Sequence, residues 1–172
     1  MENIFYISDM HFFHKKVINM SNRPFSSIEE MNKRIIKNWN DKVTFYDTVY
    51  ILGDIAYRAK LNEVINILHN LNGKKHLIIG NHDRNFLNYE EFKNNFETIQ
   101  DYLVIDDNVR KVVLFHYPIE EWDGYFRDSY HLFGHVHNND KDLKKLNNRF
   151  NVSVEKIGYE PCTLDEIIEL NK

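Results

Sequence analysis

Short apolar runs rich in β-branched and aromatic residues recur at Ile4–Ser8, Thr48–Gly53, His76–Gly80, Tyr102–Ile105, Lys111–His116, Tyr130–Gly134 and Phe150–Lys156. Runs of this length and composition predict strands. Ile28, Met31, Ile35 and Trp39 recur instead at helical spacing, behind Ser26 and Ser27 with Glu29 and Glu30 three residues on, a doubled capping signal. Leu61, Val64, Ile65, Leu68 and Leu71 repeat that period, and Gly73 supplies a left-handed residue to end the helix. Thr163–Leu170 predicts a short terminal helix, with Thr163 as cap and Glu166 as its partner. The first half therefore reads strand, helix, strand, helix, strand, which implies right-handed crossovers and parallel pairing. The second half is mostly strands and predicts antiparallel additions or a second sheet. The fold class is α/β, in layers.

The 172 residues, 42% of them hydrophobic, suit one domain, 1–172, with a real core; no Pro/Gly/Ser-rich linker, repeat or low-complexity tract suggests a boundary. Cys162 stands alone, so no intramolecular disulfide forms. The N-terminus enters a strand-like run at once, without a basic segment and a long apolar stretch, and a cytoplasmic protein is expected. No apolar run approaches the roughly 18–20 residues that span a bilayer, so no membrane partner is expected. The net charge of -4, with Lys and Arg dispersed, does not indicate duplex DNA, although a local patch able to hold phosphate stays open. The many Tyr and Phe residues can supply a dimer patch, but composition does not decide which are exposed.

Polar groups gather where strands end. Asp9 and His11 follow the first, Asp54 the second, Asn81, His82 and Asp83 the third; His116 closes a later strand, and His135 and His137 follow Gly134. In an open α/β sheet the loops beyond the carboxyl ends of parallel strands converge on one crevice, so the first three groups should be neighbours. Mixed imidazole and carboxylate donors suit Mn, Fe, Zn, Ni or Co better than Mg or Ca. Seven candidate ligands exceed what one tetrahedral ion needs, and a carboxylate can bridge, so a binuclear centre is the economical reading. Singly, each residue is an ordinary turn or capping group. His116, between Leu114, Phe115 and Tyr117, would alone read as a hydrogen-bonded core histidine.

The set Asp9-Met10-His11, Gly53-Asp54, Gly80-Asn81-His82-Asp83, His116 and Gly134-His135-Val136-His137 resembles the calcineurin-like metallophosphoesterase superfamily, with all five motifs in order. The segment from Asp9 to His14, with Arg23-Pro24-Phe25 and Trp39-Asn40, further resembles its small stand-alone bacterial and phage members. The resemblance implies an αββα sandwich with mixed sheets. It implies that Asp9, His11, Asp54 and His137 hold one metal and Asp54, Asn81, His116 and His135 the other. His82 would assist the leaving oxygen, with Asp83 orienting it. The chemistry so implied is in-line attack on phosphorus by a metal-bridging hydroxide, without a covalent phosphoenzyme. Mn is the preferred ion of the two-metal set.

Outside the motifs, Arg84 is the better candidate to clamp phosphate oxygens, Arg23 gains from the subgroup resemblance, and Arg58 reads as a surface arginine. His14, three residues after His11, is a candidate substrate contact. Tyr117, Trp122, Tyr125 and Phe126 form an aromatic cluster that more often packs a core or loop than stacks a base. The expected function is hydrolysis of a small phosphate ester or nucleotide-like substrate, a diester slightly preferred over a monoester. A small metal-dependent nuclease and an inactive interaction scaffold are the alternatives. The scaffold has no use for His82, which is present.

Overall fold

The computed structural model describes residues 2–141 and 143–172. Four strands, β1 (Ile4–Ile7), β2 (Thr48–Ile51), β3 (Lys74–Ile78) and β4 (Thr98–Gln100), form a parallel sheet in that order. Its crossovers carry α1 (Val17–Met20), α2 (Ile28–Lys42), α3 (Leu61–Asn70) and α4 (Glu90–Lys93). A second sheet has the order β5 (Tyr102–Asp107), β6 (Arg110–Phe115), β7 (Tyr130–Phe133), β8 (Arg149–Asn151). Only β5 and β6 are antiparallel, joined by a tight turn in which Asn108 has φ +58°; β6, β7 and β8 are parallel. The helix α5 (Leu164–Leu170) follows. The architecture is two packed sheets flanked by helices, in the manner of the expected sandwich.

Local sequence explains most elements. Ser27 Oγ accepts from Glu30 N–H at 3.1 Å, while the Glu30 carboxylate accepts from Ser26 N–H and Oγ–H. These bonds open α2, which buries Met31, Ile35 and Trp39. Trp39 Nε1–H donates to the Asn72 carbonyl, and the Asn40 amide bonds Asn70 and Asn72, so this pair ties α2 to the turn before β3. In α3 the core side is Val64, Ile67 and Leu68, with Ile65 only half-buried. That helix stops at Asn70 with an extended Leu71 cap, and Gly73 (φ +88°) belongs to the turn into β3 instead of ending the helix. Thr163 and Glu166 form the expected capping box of α5.

Strand β4 has no signal of its own. Only Asp101 separates it from β5, so one polar-interrupted stretch of chain is shared between two sheets. The free edge of β1 is covered by later chain: Tyr6 exchanges backbone hydrogen bonds with Cys162 at 2.8 and 3.1 Å, and Ser8 pairs with Val152 and Val154. Covering that edge removes a row of unpaired backbone groups and brings the end of β8 against the end of β1. Tyr6 O–H also donates to Asp107 Oδ2, a buried bond between the sheets. Ile7, Ile51 and Leu77 of the first sheet and Val112, Leu114 and Leu132 of the second belong to one continuous core. Among the described residues no helix is long and apolar enough to cross a membrane.

Candidate metal centre

Beyond Ile7 and Ile51 the first two strands stay in register without being regular: Asp9 N–H donates to Gly53 O, His11 N–H to Asp54 O, and Phe12 N–H to Ile55 O. Asp9, His11 and Asp54 have φ of +56°, +50° and +56°, and His135 and His137 have +70° and +50°. Left-handed backbone at a residue with a Cβ costs roughly 1–3 kcal/mol and persists where surrounding bonds over-determine it. Here those bonds are the paired loops themselves, together with His135 N–H donating to Asp9 Oδ2 at 2.9 Å. The turns aim side chains from both sheets at one crevice.

Two groups result. Asp9 Oδ1 lies 3.8 Å from both His11 Nε2 and His137 Nε2. Asn81 Oδ1 lies 3.1 Å from His116 Nε2 and 2.9 Å from His135 Nδ1. Between them stands Asp54, whose Oδ2 is 3.4 Å from His11 Nε2 and 3.7 Å from His116 Nε2. All seven sequence-derived ligand candidates are thus brought together. His135 and His137, two residues apart, serve different groups because each sits in its own left-handed turn.

The donor set fits a cation. Asp9 Oδ1 and His11 Nε2 are buried and have no hydrogen-bond partner, although buried polar atoms are almost always paired. The side chains of Asp9, Asp54, Asp83 and Glu155 are all buried, against one buried guanidinium, that of Arg23. Burial by itself would lower the His11 pKa, but the facing carboxylates of Asp54 and Asp9 hold it up at about 9. For Asp9 burial pulls upward, yet the nearby imidazoles of His11, His116 and His137 keep it well below the usual carboxylate range. Such a surplus of negative charge is what a divalent ion neutralises.

The supporting groups were harder to read in advance. Asp9 Oδ2 accepts from Ser8 Oγ at 2.6 Å and Ser153 Oγ at 2.9 Å. His116 Nδ1–H donates to Leu52 O at 2.7 Å, which leaves Nε2 as the free lone pair. His137 Nδ1 meets Glu155 Oε1 at 2.9 Å in the same way. Glu155 sits in an apolar run, and a glutamate inside such a run was the one sequence signal for it. Gly80 and Gly134 allow the crowding: a Cβ at Gly80 would strike Asp54 Oδ1, and one at Gly134 would strike Asp9 Oδ2 and Ser8 Oγ.

Four expectations change. Asp83 does not orient His82; it is fully buried and accepts from the backbone N–H of Gly80, Asp54 and Ile55 at 2.8–3.0 Å, clasping two loops. Burial and the Asp54 charge push its pKa up to about 6. Arg23 is no phosphate clamp, because its guanidinium is spent on Glu155 and on the carbonyls of Asp9 and Met10. Arg84 pairs with Asp101 at the exposed surface. His14 lies against the His11 ring, with Nδ1 atoms 3.3 Å apart, and packs on Tyr57; burial, then the His11 charge, drop its pKa to about 4. It supports His11 before it meets a substrate.

His82 approaches from the open side. Its backbone N–H donates to Asp54 Oδ1 at 2.9 Å, and its Nε2 stands 3.9 Å from Asp54 Oδ2. Burial, outweighing the Asp54 charge, lowers its pKa. The aromatic cluster divides: Tyr117 lies edge-on to His116 and His135, Trp122 is buried against His131 and donates to Ser129 Oγ, and Phe126 is exposed.

The family model for calcineurin-like phosphoesterases matches residues 3–156. An uncharacterized protein of Methanocaldococcus jannaschii is 40% identical over a 175-residue alignment that covers 99% of this chain and 92% of that protein. The gene 66 protein of Mycobacterium phage L5 is 34% identical over 85 residues, 48% of this chain and 41% of that one. A solved protein of unknown function from Aquifex aeolicus has the same fold, with a TM-score of 0.77 at 27% identity over 99% of this chain and 100% of that one. A match across nearly the whole chain, on a fold whose loops gather this set of donors, has one consequence: the chain belongs to the calcineurin-like phosphoesterase family and is a metal-dependent phosphoesterase.

Proposed function

We propose that the protein hydrolyses phosphodiesters at a binuclear centre, Asp9, His11, His137 and Asp54 holding one ion and Asp54, Asn81, His116 and His135 the other. The observation that carries this reading is the position of Asp54: a single oxygen, Oδ2, faces an imidazole of each group at 3.4 and 3.7 Å. Imidazole, carboxylate and amide donors without thiolate suit a borderline transition ion, and Mn is the proposed one. When bound, such ions lower the pKa of a water and neutralise charge on phosphoryl oxygens.

The chain's own groups supply the rest. Ser8 and Ser153 are buried and both donate to Asp9 Oδ2, so neither hydroxyl is a nucleophile, and water is the attacking group. The backbone bond from His82 to Asp54 fixes the imidazole beside the shared carboxylate, where Nε2 is the donor placed to protonate the departing oxygen. Asn81 turns its amide oxygen to the second group and adds no charge, which leaves that side more electropositive toward substrate once an ion is held.

The test is the ratio of hydrolysis rates on bis-p-nitrophenyl phosphate and p-nitrophenyl phosphate, after the protein is stripped of metal and reloaded with Mn. Faster diester cleavage is expected. Faster monoester cleavage would make the protein a phosphatase, and no turnover with Mn, Ni, Co or Zn would leave the scaffold reading in its place.

A further inference from the structure

A cavity of about 510 Å³ opens directly beside the metal groups, bounded at one end by Asn81 and His82. That volume is in the range of sites that take a drug- or nucleoside-sized group. Its other walls include the rings of Tyr57, Phe86 and Tyr89, with Arg58 and Asn85 among them. Tyr57 stands edge-on to the His82 ring, centroids 4.7 Å apart, and the Arg58 guanidinium lies over the Tyr57 ring at 5.2 Å. Phe86 is buried as a floor, whereas Tyr89 is 47% exposed, a large ring left at the rim.

We propose that this cavity is the leaving-group subsite and that it receives a nucleoside, which makes the natural substrate a nucleotide phosphodiester. The inference rests on the phosphodiesterase reading and specifies it. Because His82 sits at the mouth, the substituent on the oxygen that it protonates has to extend into this cavity. The reaction balances simply: water oxygen forms the new bond to phosphorus, the bond to the nucleoside oxygen breaks, and that oxygen takes a proton as the nucleoside departs.

The lining selects among leaving groups. The exposed Tyr89 ring accepts a flat ring by stacking, since Tyr57 already packs on His14 and Arg58 and Phe86 on Phe92, and Arg58, Asn85 and the tyrosine hydroxyls offer hydrogen bonds to the edge of a heteroaromatic base. An acyl chain would gain nothing from those polar groups. None of the lining residues is acidic, in a chain with 26 acidic and 22 basic side chains, so a polycationic leaving group finds no partner here.

The experiment uses a dinucleotide of two deoxyadenosines and two analogues, each lacking one base, so that the leaving alcohol keeps its chemistry. The products show which nucleoside departs. Removing the base of the departing nucleoside is expected to lower kcat/KM about tenfold or more, removing the other base less than about threefold. In Tyr89→Ala the discrimination should collapse, and in Tyr89→Phe, which keeps the ring, it should persist. Equal losses from either base, or discrimination that survives Tyr89→Ala, would overturn the subsite. So would an intact dinucleotide under conditions that cleave bis-p-nitrophenyl phosphate. If no diester is cleaved with any metal, the phosphodiesterase reading fails first, and equilibrium dialysis with deoxyadenosine then judges the cavity. Binding weakened at least about fivefold by Tyr89→Ala keeps a nucleoside site; no binding removes it.

Discussion

At the scale of single residues, the centre separates groups that hold charge from groups that move a proton. Asp54 faces both halves, so Asp54→Asn should remove both ions and all turnover. His82 touches the centre mainly through its backbone N–H, so His82→Ala should keep the metal while kcat falls about a hundred- to ten-thousandfold. Metal analysis of the two purified variants beside their rates checks this, and a His82→Ala protein that arrives metal-free would make His82 a ligand instead. The seven ligand candidates were legible because each stands in a short motif at a strand end. Asp83 and Arg84 lie in or beside the same motifs, and Arg23 lies in the segment of subgroup resemblance, yet their roles were not legible. A charged residue's type says that it needs partners but not which ones. Arg23 and Asp83 found theirs in backbone carbonyls and N–H groups beneath the loops, and Arg84 in a surface carboxylate.

At the scale of elements, the strands set spacing and the loops that follow them set aim. Parallel β1, β2 and β3 end at one side of their sheet, and the left-handed turns at Asp9, His11 and Asp54 redirect the chain there. Gly134 lets the loop after β7 press against the Asp9 carboxylate. Gly134→Ala should therefore displace Asp9, weaken metal binding at least about tenfold and destabilise the fold by about 1–3 kcal/mol. Isothermal titration with Mn and denaturant unfolding test it; unchanged affinity would mean that the loop moves aside freely. Helices α2 and α5 were readable from their caps and periodicity, since those signals are local. Strand β4 and the parallel pairing of β6, β7 and β8 were not, because a three-residue edge strand and the direction of a strand partner depend on chain far away.

At the scale of the whole molecule, the centre draws ligands from the loops of both sheets, so metal and fold are linked. Chelation should lower Tm: at a free ion concentration a hundred times Kd the bound state gains about 2.7 kcal/mol, or about 5–10 °C for a chain of this size. Scanning calorimetry with chelator and after Mn is restored measures the shift, and an unmoved Tm would deny that ions bind the folded state. A second global effect lies away from the metals. His131 is fully buried, its Nδ1–H donates to Val113 O, and its Nε2 accepts from Ile119 N–H; burial lowers its pKa to about 4 from 6.5. The fold keeps this imidazole neutral while the unfolded chain protonates it, so its stability is complete above pH 6.5 and is lost as the pH falls toward 4. The total is about 3 kcal/mol. Urea unfolding at pH 7 and pH 5 should show about 2 kcal/mol of that loss in the native protein and a flatter profile in His131→Gln. Equal slopes in the two would assign the acid sensitivity elsewhere.

The amino-acid sequence by itself determined the α/β class, the helices with their caps, and the residue types that gather metal, because propensity, periodicity and donor chemistry act over a few neighbouring residues. Only the tertiary structure decided which of those donors meet. Asp9 and Ser153, or His137 and Glu155, come together because the edge of β1 is covered by the chain that follows β8. It also decided that Tyr57 and Tyr89 line a cavity beside His82 while Trp122 goes to the core. Whether an aromatic ring ends inside, outside or along a cleft is settled by what packs on its other face, and that neighbour is supplied by distant chain.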